Sequence, residues 1–544
     1  MSDAFSISTQ QNEPLELTAD VLVIGGGPAG TWAAWSAASK GARVVLADKG
    51  YCGASGATAP SGVGVWYVQP DPEERAKAKA SREALGGFLA DHSWMDRVLD
   101  QTYENVAHLA QWGYPFPTNE RGEQVRRGMQ GPEYMKIMRK VVKQAGVKIL
   151  DHSPALELLL DFDGVVAGAA GVQRQENRPW SVKAGAVVIA TGGCAFLSKA
   201  LGTNVLTGDG GLMAAEAGGE MSGMEFSNAY SLAPAFSSVT KSAYYSWASF
   251  TYEDGRVIEG AGSQRGRSII AKTLLTQPVF CQLDKADDET QVWMRKGQPN
   301  FFLPFDRAGI NPFTDRFPVT MRLEGTVRGT GGIRIADTTC ATTAPGLYAA
   351  GDAATRELIC GGFTGGGSHN AAWAISSGYW AGGGAAAYAL SLGEKAHNRR
   401  LRGAGRAALR PAGAGFDTAE IVRGVQSEVT PYDKNLFRTE AGLRSSLVEL
   451  NGLWRAVQGR PESASTTEGV IQARQAAAMV ATARWMYASA HVRTETRGMH
   501  KRVDHPAQSP EQQYRLLSGG LDTVWVKPDP TSVAAPAPKE TVSR

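Results

Sequence analysis

Short apolar runs stopped by glycine are the dominant pattern of this chain. Val21-Leu22-Val23-Ile24 runs unbroken into Gly25-Gly26-Gly27-Pro28-Ala29-Gly30. An apolar run without alternation predicts a strand buried on both faces, as in a parallel sheet. The next segment, Thr31 to Ala38, is alanine-rich and predicts a helix, and Ala42 to Ala47 predicts a second strand ending at Asp48. The pattern recurs twice downstream. Ala186-Val187-Val188-Ile189 stops at Ala190-Thr191-Gly192-Gly193, and Gly346-Leu347-Tyr348-Ala349-Ala350 stops at Gly351-Asp352. Pro278 to Leu283 predicts another strand. Ala371 to Leu392 is a Gly/Ala-rich stretch interrupted by Ser376, Ser377 and Tyr379, which predicts a packed buried helix and no membrane span. Residues 417–505 carry apolar residues at helical spacing, as at Leu443, Leu447, Leu450 and Leu453.

The first of these units has the chemistry of a dinucleotide site. Glycines permit a tight turn and a close backbone approach to a pyrophosphate, and the following helix offers unpaired N–H groups to its oxygens. This assigns Gly25, Gly27, Pro28, Ala29 and Gly30 to the phosphates. Asp48 follows Gly25 by 23 residues, the distance at which a carboxylate meets a ribose hydroxyl, with Lys49 beside it. Taken with Ala190, Thr191, Gly192, Gly351 and Asp352, the set is similar to the two-dinucleotide-binding-domain flavoproteins. FAD is then the implied ligand, with Asp352 on its ribityl chain.

Two further blocks narrow the resemblance. Thr207-Gly208-Asp209-Gly210 precedes Met224-Glu225-Phe226, and Glu495-Thr496-Arg497-Gly498-Met499-His500 stands near the other end. In this order they resemble the flavoprotein subunits of succinate dehydrogenase and fumarate reductase, a superfamily that also holds L-aspartate oxidase and the alpha subunit of adenylylsulfate reductase. The resemblance covers roughly residues 18–510. It implies an α/β fold: a Rossmann-like FAD domain at 18–225 and 336–395, an inserted α+β capping domain at 226–335, and a C-terminal helical domain at 415–510. Residues 1–17 and 527–544 are expected to be disordered, and the basic segment from Asn398 to Arg406 is expected to be a solvated linker, with docking of an acidic partner as the alternative. Ser55, Gly56, Ala57, Gly62, Asp209, Gly367 and Ser368 join the FAD-binding set through the same resemblance.

Composition adds bounds. A chain of 544 residues is expected to hold more than one domain. The net charge of +3 gives no reason to expect a nucleic acid partner or an anionic membrane. Cys52, Cys194, Cys281, Cys340 and Cys360 lack metal-type spacing, so no metal or iron–sulfur ligand set is expected, and a reducing cytoplasmic setting is.

At the reacting end the family pattern breaks. Gly56 occupies the place of the histidine that bonds the flavin in the dicarboxylate enzymes, so FAD is expected to be non-covalent. Tyr230 and Val327 occupy the two substrate-histidine positions, and Phe363 that of the binding arginine. Arg265, with Arg267 as its alternative, is the expected shuttle arginine. Arg328, Tyr230 and His369 complete the candidate catalytic set, and Phe363, Trp247, Tyr245, Tyr244 and Arg267 the substrate pocket. These residues suit an aromatic or weakly charged organic substrate in place of succinate or fumarate, with hydride passing at flavin N5. The alternative is an electron-transfer subunit working with a ferredoxin or other iron–sulfur partner. A homo-oligomer and the direction of the reaction stay open.

Overall fold

The computed structural model describes residues 13–532 apart from 241, 264–265, 365–367, 397, 411–412 and 464. Arg265 and Gly367 therefore lie outside the described residues, as do 1–12 and 533–544.

The main sheet is built from the apolar runs. Strand β1 (Leu15–Ile24) leads through the glycine turn into helix α1 (Pro28–Ser39) and returns as β2 (Val44–Ala47). The long strand β3 (Arg178–Ile189) pairs in parallel with β1, and β4 (Leu347–Ala349) pairs in parallel with β3. The registers align the strand ends: Ile24 faces both Ala47 and Ile189, and Ile189 faces Ala349. Three turns drawn from distant parts of the chain thus emerge at one edge. Beyond β3 the sheet continues antiparallel through Val166–Gln173 and Ala155–Leu160.

Close helix packing lets the layer above this sheet form. Helix α2 (Ser368–Leu392) lies against α1, and its glycines are the contact. A Cβ at Gly382 would fall 2.1 Å from the Ala33 carbonyl oxygen, and one at Gly378 2.4 Å from that of Ala29.

A separate four-stranded antiparallel sheet runs in the order Ala229–Pro234, Phe317–Gly325, Val279–Gln282, Ser249–Thr251. The C-terminal region supplies helices α3 (Thr418–Val429), α4 (Glu440–Ala456) and α5 (Thr467–Val492), the last buried along most of its length. No described helix is long and apolar enough to cross a membrane.

The expected disordered ends are corrected at both boundaries. Leu15 to Leu17 belong to β1, because they complete its ladder with Trp180 to Val182. Trp525–Pro528 pairs antiparallel with Leu516–Gly519, which orders Lys527 and Pro528. The basic segment is also more than a linker: Arg402–Gly403 forms an edge strand on Ala155–Leu160, and Arg399 pairs with Asp161 at 3.2 Å.

Since the α1–α2 contact has no room for a side chain, Gly382→Val should lower unfolding stability by about 1–3 kcal/mol and weaken FAD retention. Urea denaturation monitored by circular dichroism checks this; a midpoint equal to wild type would contradict the packing.

Candidate active site

An elongated cavity of about 1420 Å³ opens along the edge where the four strands end. Its walls at that edge are Gly25, Gly26, Gly27, Pro28, Ala29, Asp48, Lys49, Ala190, Thr191, Gly192, Gly351 and Asp352. Gly25 adopts φ +113°, and a Cβ there would lie 2.2 Å from the Ala190 carbonyl oxygen, so glycine alone lets the two turns meet. Helix α1 begins at Pro28 with Gly27 as N-cap, directing its free N–H groups at this wall.

Asp48 organises the turn. One carboxylate oxygen accepts from the Gly26 N–H, and the other from the Gly50 N–H and the Ser55 hydroxyl, both at 2.7 Å. A carboxylate has about four acceptor positions, which leaves capacity for a ribose hydroxyl. Lys49 reaches across to Asp209 (2.6 Å), Thr207 (2.8 Å) and the Val205 carbonyl (3.1 Å), fixing the Thr207-Gly208-Asp209 turn to the end of β2. Asp209, Ser55, Gly56, Ala57 and Gly62 line the same stretch. Gly56 has φ +87°, and a Cβ there would meet nothing within 4 Å, so its surroundings are open space.

Two predicted cofactor contacts stand elsewhere. Gly30 lies behind the wall, where a Cβ would strike the Gly25 carbonyl oxygen. Ser368 gives its carbonyl to the Trp66 N–H and does not line the cavity.

The cradle fits FAD. Its turns are glycine main chain that a side chain would block, and two buried polar atoms at the cavity wall, Asn228 Oδ1 and Asn370 Oδ1, have no partner among the described residues. Residues 20–230 match the FAD binding domain family, and 428–527 match the fumarate reductase flavoprotein C-terminal family. The chain belongs to the succinate dehydrogenase/fumarate reductase flavoprotein superfamily. It is 26% identical to L-aspartate oxidase of Streptomyces coelicolor over 544 residues, covering 90% of this chain and 89% of that one. With a fumarate reductase (CoM/CoB) subunit of Methanothermobacter marburgensis it is 23% identical over 549 residues, covering 92% and 96%. It shares its fold with a quinol-fumarate reductase solved with menaquinol molecules, at a TM-score of 0.80 and 19% identity over 94% of this chain and 98% of that one. The protein is an FAD-dependent oxidoreductase.

The flavoprotein's cavity continues beneath the antiparallel sheet. Tyr230, Leu232, Tyr245, Arg267, Met321, Val327, Arg328 and Phe363 line this end. Several expected residues take other roles. The Tyr230 ring faces the cavity, but its hydroxyl donates to the carbonyls of Val429 (2.9 Å) and Thr430 (3.0 Å) at the end of α3. Burial also holds that hydroxyl well above the ordinary phenol range, so it does not release a proton. His369 is fully buried against Trp66, ring centroids 4.4 Å apart, and lies off the cavity. Burial, with the charge of Arg82, pushes its pKa down to about 3, leaving a neutral ring. Trp247 packs on the exposed Trp293, and Tyr244 donates to the Met294 carbonyl at 2.7 Å; neither lines the cavity.

Asn370, one residue past His369, is the side chain that α2 turns to the cavity, as it does Ala371 and Ala374. The neighbouring polar residue was the wrong choice because helical pitch decides the face. Asn228, Glu324 and Lys501 also escaped the sequence reading. Asn228 stands two residues past Phe226 of the Met224-Glu225-Phe226 block and so carried a signal of position; Glu324 carried none.

Beside the cavity, the Glu495-to-His500 segment is anchored by buried ions. Arg493 pairs with Glu225 and Glu495 at 2.8 Å each, and Arg497 with Glu495 at 2.6 Å. His500 accepts from Arg438 at 2.7 Å and donates to the Arg493 carbonyl at 3.0 Å, which requires a neutral ring; its pKa lies well below the ordinary value. Glu357 is buried next to Glu225 and hydrogen-bonded by Ser222 at 2.6 Å. Burial, then the Glu225 charge, pushes its pKa up to about 8.

A carboxyl that holds its proton more tightly when folded stabilises the fold most below its ordinary pKa of about 4.3, and that contribution fades as pH rises toward 8. Glu357→Gln should therefore flatten the fall in melting temperature between pH 5 and pH 8. Parallel melting profiles for wild type and variant would contradict the buried protonated acid.

Proposed function

We propose that this flavoprotein transfers a hydride between flavin N5 and a small organic substrate with an apolar or aromatic body, and that succinate, fumarate and L-aspartate are not its substrates. The observation that carries this is the composition of the cavity end: Tyr230, Val327 and Phe363 form its wall, and the one hydroxyl among them is spent on helix α3. These are the positions where the resemblance expects two histidines and an arginine for substrate carboxylates. An isopropyl group and a phenyl ring offer no donors, and a buried carboxylate without them loses about 1.5–3 kcal/mol per charged hydrogen bond.

Bound FAD supplies the electron chemistry. The protein's part is to hold and orient. Asp48 and Lys49 shape the turns around the dinucleotide. Arg356 pairs with Asp352 and donates to the carbonyls of Thr326 (3.1 Å) and Val327 (3.2 Å), so the cofactor wall and the substrate wall are one rigid unit. Arg267, Arg328 and Lys501 are cations that line the cavity. Arg265, the first expected shuttle, lies outside the described residues, so Arg267 takes its place as the leading candidate for positioning substrate charge.

The FAD is proposed to be non-covalent, because Gly56 has no side-chain atom to bond it. Acid precipitation should leave the flavin in the supernatant; colour retained in the washed pellet would refute this. The small-molecule reading gives a second outcome. Fumarate, succinate and L-aspartate should be turned over at least about a hundredfold more slowly than the best apolar substrate found, following the lost hydrogen bonds. Comparable kcat/KM for fumarate would overturn the proposal.

A second reading, a flavoprotein that passes electrons to a separate iron–sulfur partner, is favoured by the similarity to a fumarate reductase subunit. Stopped-flow mixing decides between the two. Rapid flavin reduction by substrate and reoxidation without a partner supports a self-sufficient enzyme; reduction that halts there supports the partner-dependent one. The five buried free thiols accord with a reducing cytoplasm.

A further inference from the structure

The cavity does not end at the wall of Tyr230, Val327 and Phe363. It continues as an arm between a small ribbon and a helix corner. In the ribbon Gly62–Gly64 pairs antiparallel with Gly128–Gln130, and the chain from Tyr114 to Val125 packs beside it. The corner joins the helices Asp288–Gly297 and Pro299–Ala308. Gln130 Nε2 donates to the Gly297 carbonyl at 3.2 Å, and Asn300 Nδ2 to the Pro60 carbonyl at 2.7 Å, so corner and ribbon are held together. On the inner side the Gly362 N–H donates to the Gly86 carbonyl at 2.8 Å, which brings the turn of Leu85 to the segment of Phe363. Leu85 and Val125 are themselves exposed, so the arm opens to solvent.

Leu85, Tyr114, Pro117, Val125 and Met129 line the arm and make it apolar. The Tyr114 hydroxyl is taken by the Gln130 N–H at 2.7 Å. The segments that form the arm contribute one charge among the described residues, Arg82; Arg267, Arg328 and Lys501 come from other segments. Gln298, at the helix corner, lines the cavity too, and its Nε2 is buried with no partner among the described residues. A buried N–H donor without an acceptor is costly, and a ligand oxygen placed there satisfies it. The whole cavity, about 1420 Å³, also exceeds the roughly 300–1,000 Å³ of a usual small-ligand site, as one that holds a dinucleotide and a long substrate must.

We propose that this arm is a subsite for the distal part of the substrate, so that the substrate is an elongated apolar molecule with a neutral carbonyl oxygen that accepts from Gln298. This rests on the reading that the cavity takes an apolar-bodied substrate, and adds to it the substrate's length and the residues that select for it.

Binding to the FAD-loaded enzyme, read as a shift of the flavin absorption bands, tests this without turnover. The probes are 4-acetylbiphenyl, acetophenone, biphenyl and fumarate. 4-Acetylbiphenyl should bind about tenfold or more tightly than acetophenone, because its second ring fills the arm. It should also bind about tenfold more tightly than biphenyl, which offers Gln298 no oxygen. Val125→Trp narrows the mouth of the arm and should largely erase the first preference; Gln298→Leu should erase the second. Both variants are compared at flavin content and melting temperature equal to wild type. Acetophenone binding as tightly as 4-acetylbiphenyl, or an undiminished preference in Val125→Trp, would overturn the subsite while leaving the apolar-substrate reading intact. Biphenyl binding as tightly as 4-acetylbiphenyl would overturn the contact to Gln298 and with it the proposal. Band shifts with fumarate alone would overturn both readings, and no shift with any of the aromatic probes would overturn the subsite.

Discussion

Two main-chain turns, one after β1 at Gly25 and one after β3 at Ala190, lie too close together for any side chain between them. The site depends on that contact. It brings the N-terminus of α1, the Ala190-Thr191-Gly192 turn and the Gly351-Asp352 turn to one edge, although the residues are spread over more than three hundred positions. The parallel register enforces it, since sliding β3 by one residue would turn its apolar side chains to the opposite faces and move the turn away. Helix α2 then closes the layer through glycines that admit α1 at backbone distance. The abundance of glycine is therefore tied to the ligand and is not a sign of a loose chain.

Charge is handled differently at the two ends of the cavity. Near the dinucleotide edge each ion has a named partner, as Lys49 has Asp209 and Arg356 has Asp352. The C-terminal segment is likewise closed by the Glu225, Arg493, Glu495 and Arg497 chain, with Glu357 kept neutral beside it. Buried ion chains of this kind contribute geometry more reliably than net stability. Under the antiparallel sheet, the buried Glu324 lies 3.5 Å from Arg328, and Arg267 lines the cavity with its Nε donating to the Ser263 carbonyl.

Sequence reading recovered the backbone logic of the protein and much less of its side-chain logic. Apolar runs ending in glycine are local signals, so the strands, their turns and the cofactor wall were legible from Val21 to Ile24, Ala186 to Ile189 and Leu347 to Ala349. Membership of the flavoprotein superfamily was legible too, because its blocks are contiguous. What failed depended on rotation or on partners far along the chain. His369 and Asn370 are adjacent, and only helix phase sends the second to the cavity. Tyr230 sits at the expected wall, yet α3, two hundred residues later, takes its hydroxyl. Trp247 belongs to an aromatic run that promised a pocket lining, but the end of its short helix points it at Trp293. At the chain's margins, Leu15 and Lys527 were read as tail because their strands gain their ladders from distant partners.

Aligned strand ends that cradle one dinucleotide, with its ring end facing a wall of Tyr230, Val327 and Phe363, are what the proposed chemistry requires. A crystal structure of the FAD-loaded enzyme measures this directly. The pyrophosphate should lie against the Gly25-to-Ala29 turn and the ring end of the cofactor beside the Val327 and Arg328 segment, with no bond between flavin and protein. A pyrophosphate away from that turn, or a ring separated from that segment by other protein atoms, would contradict it.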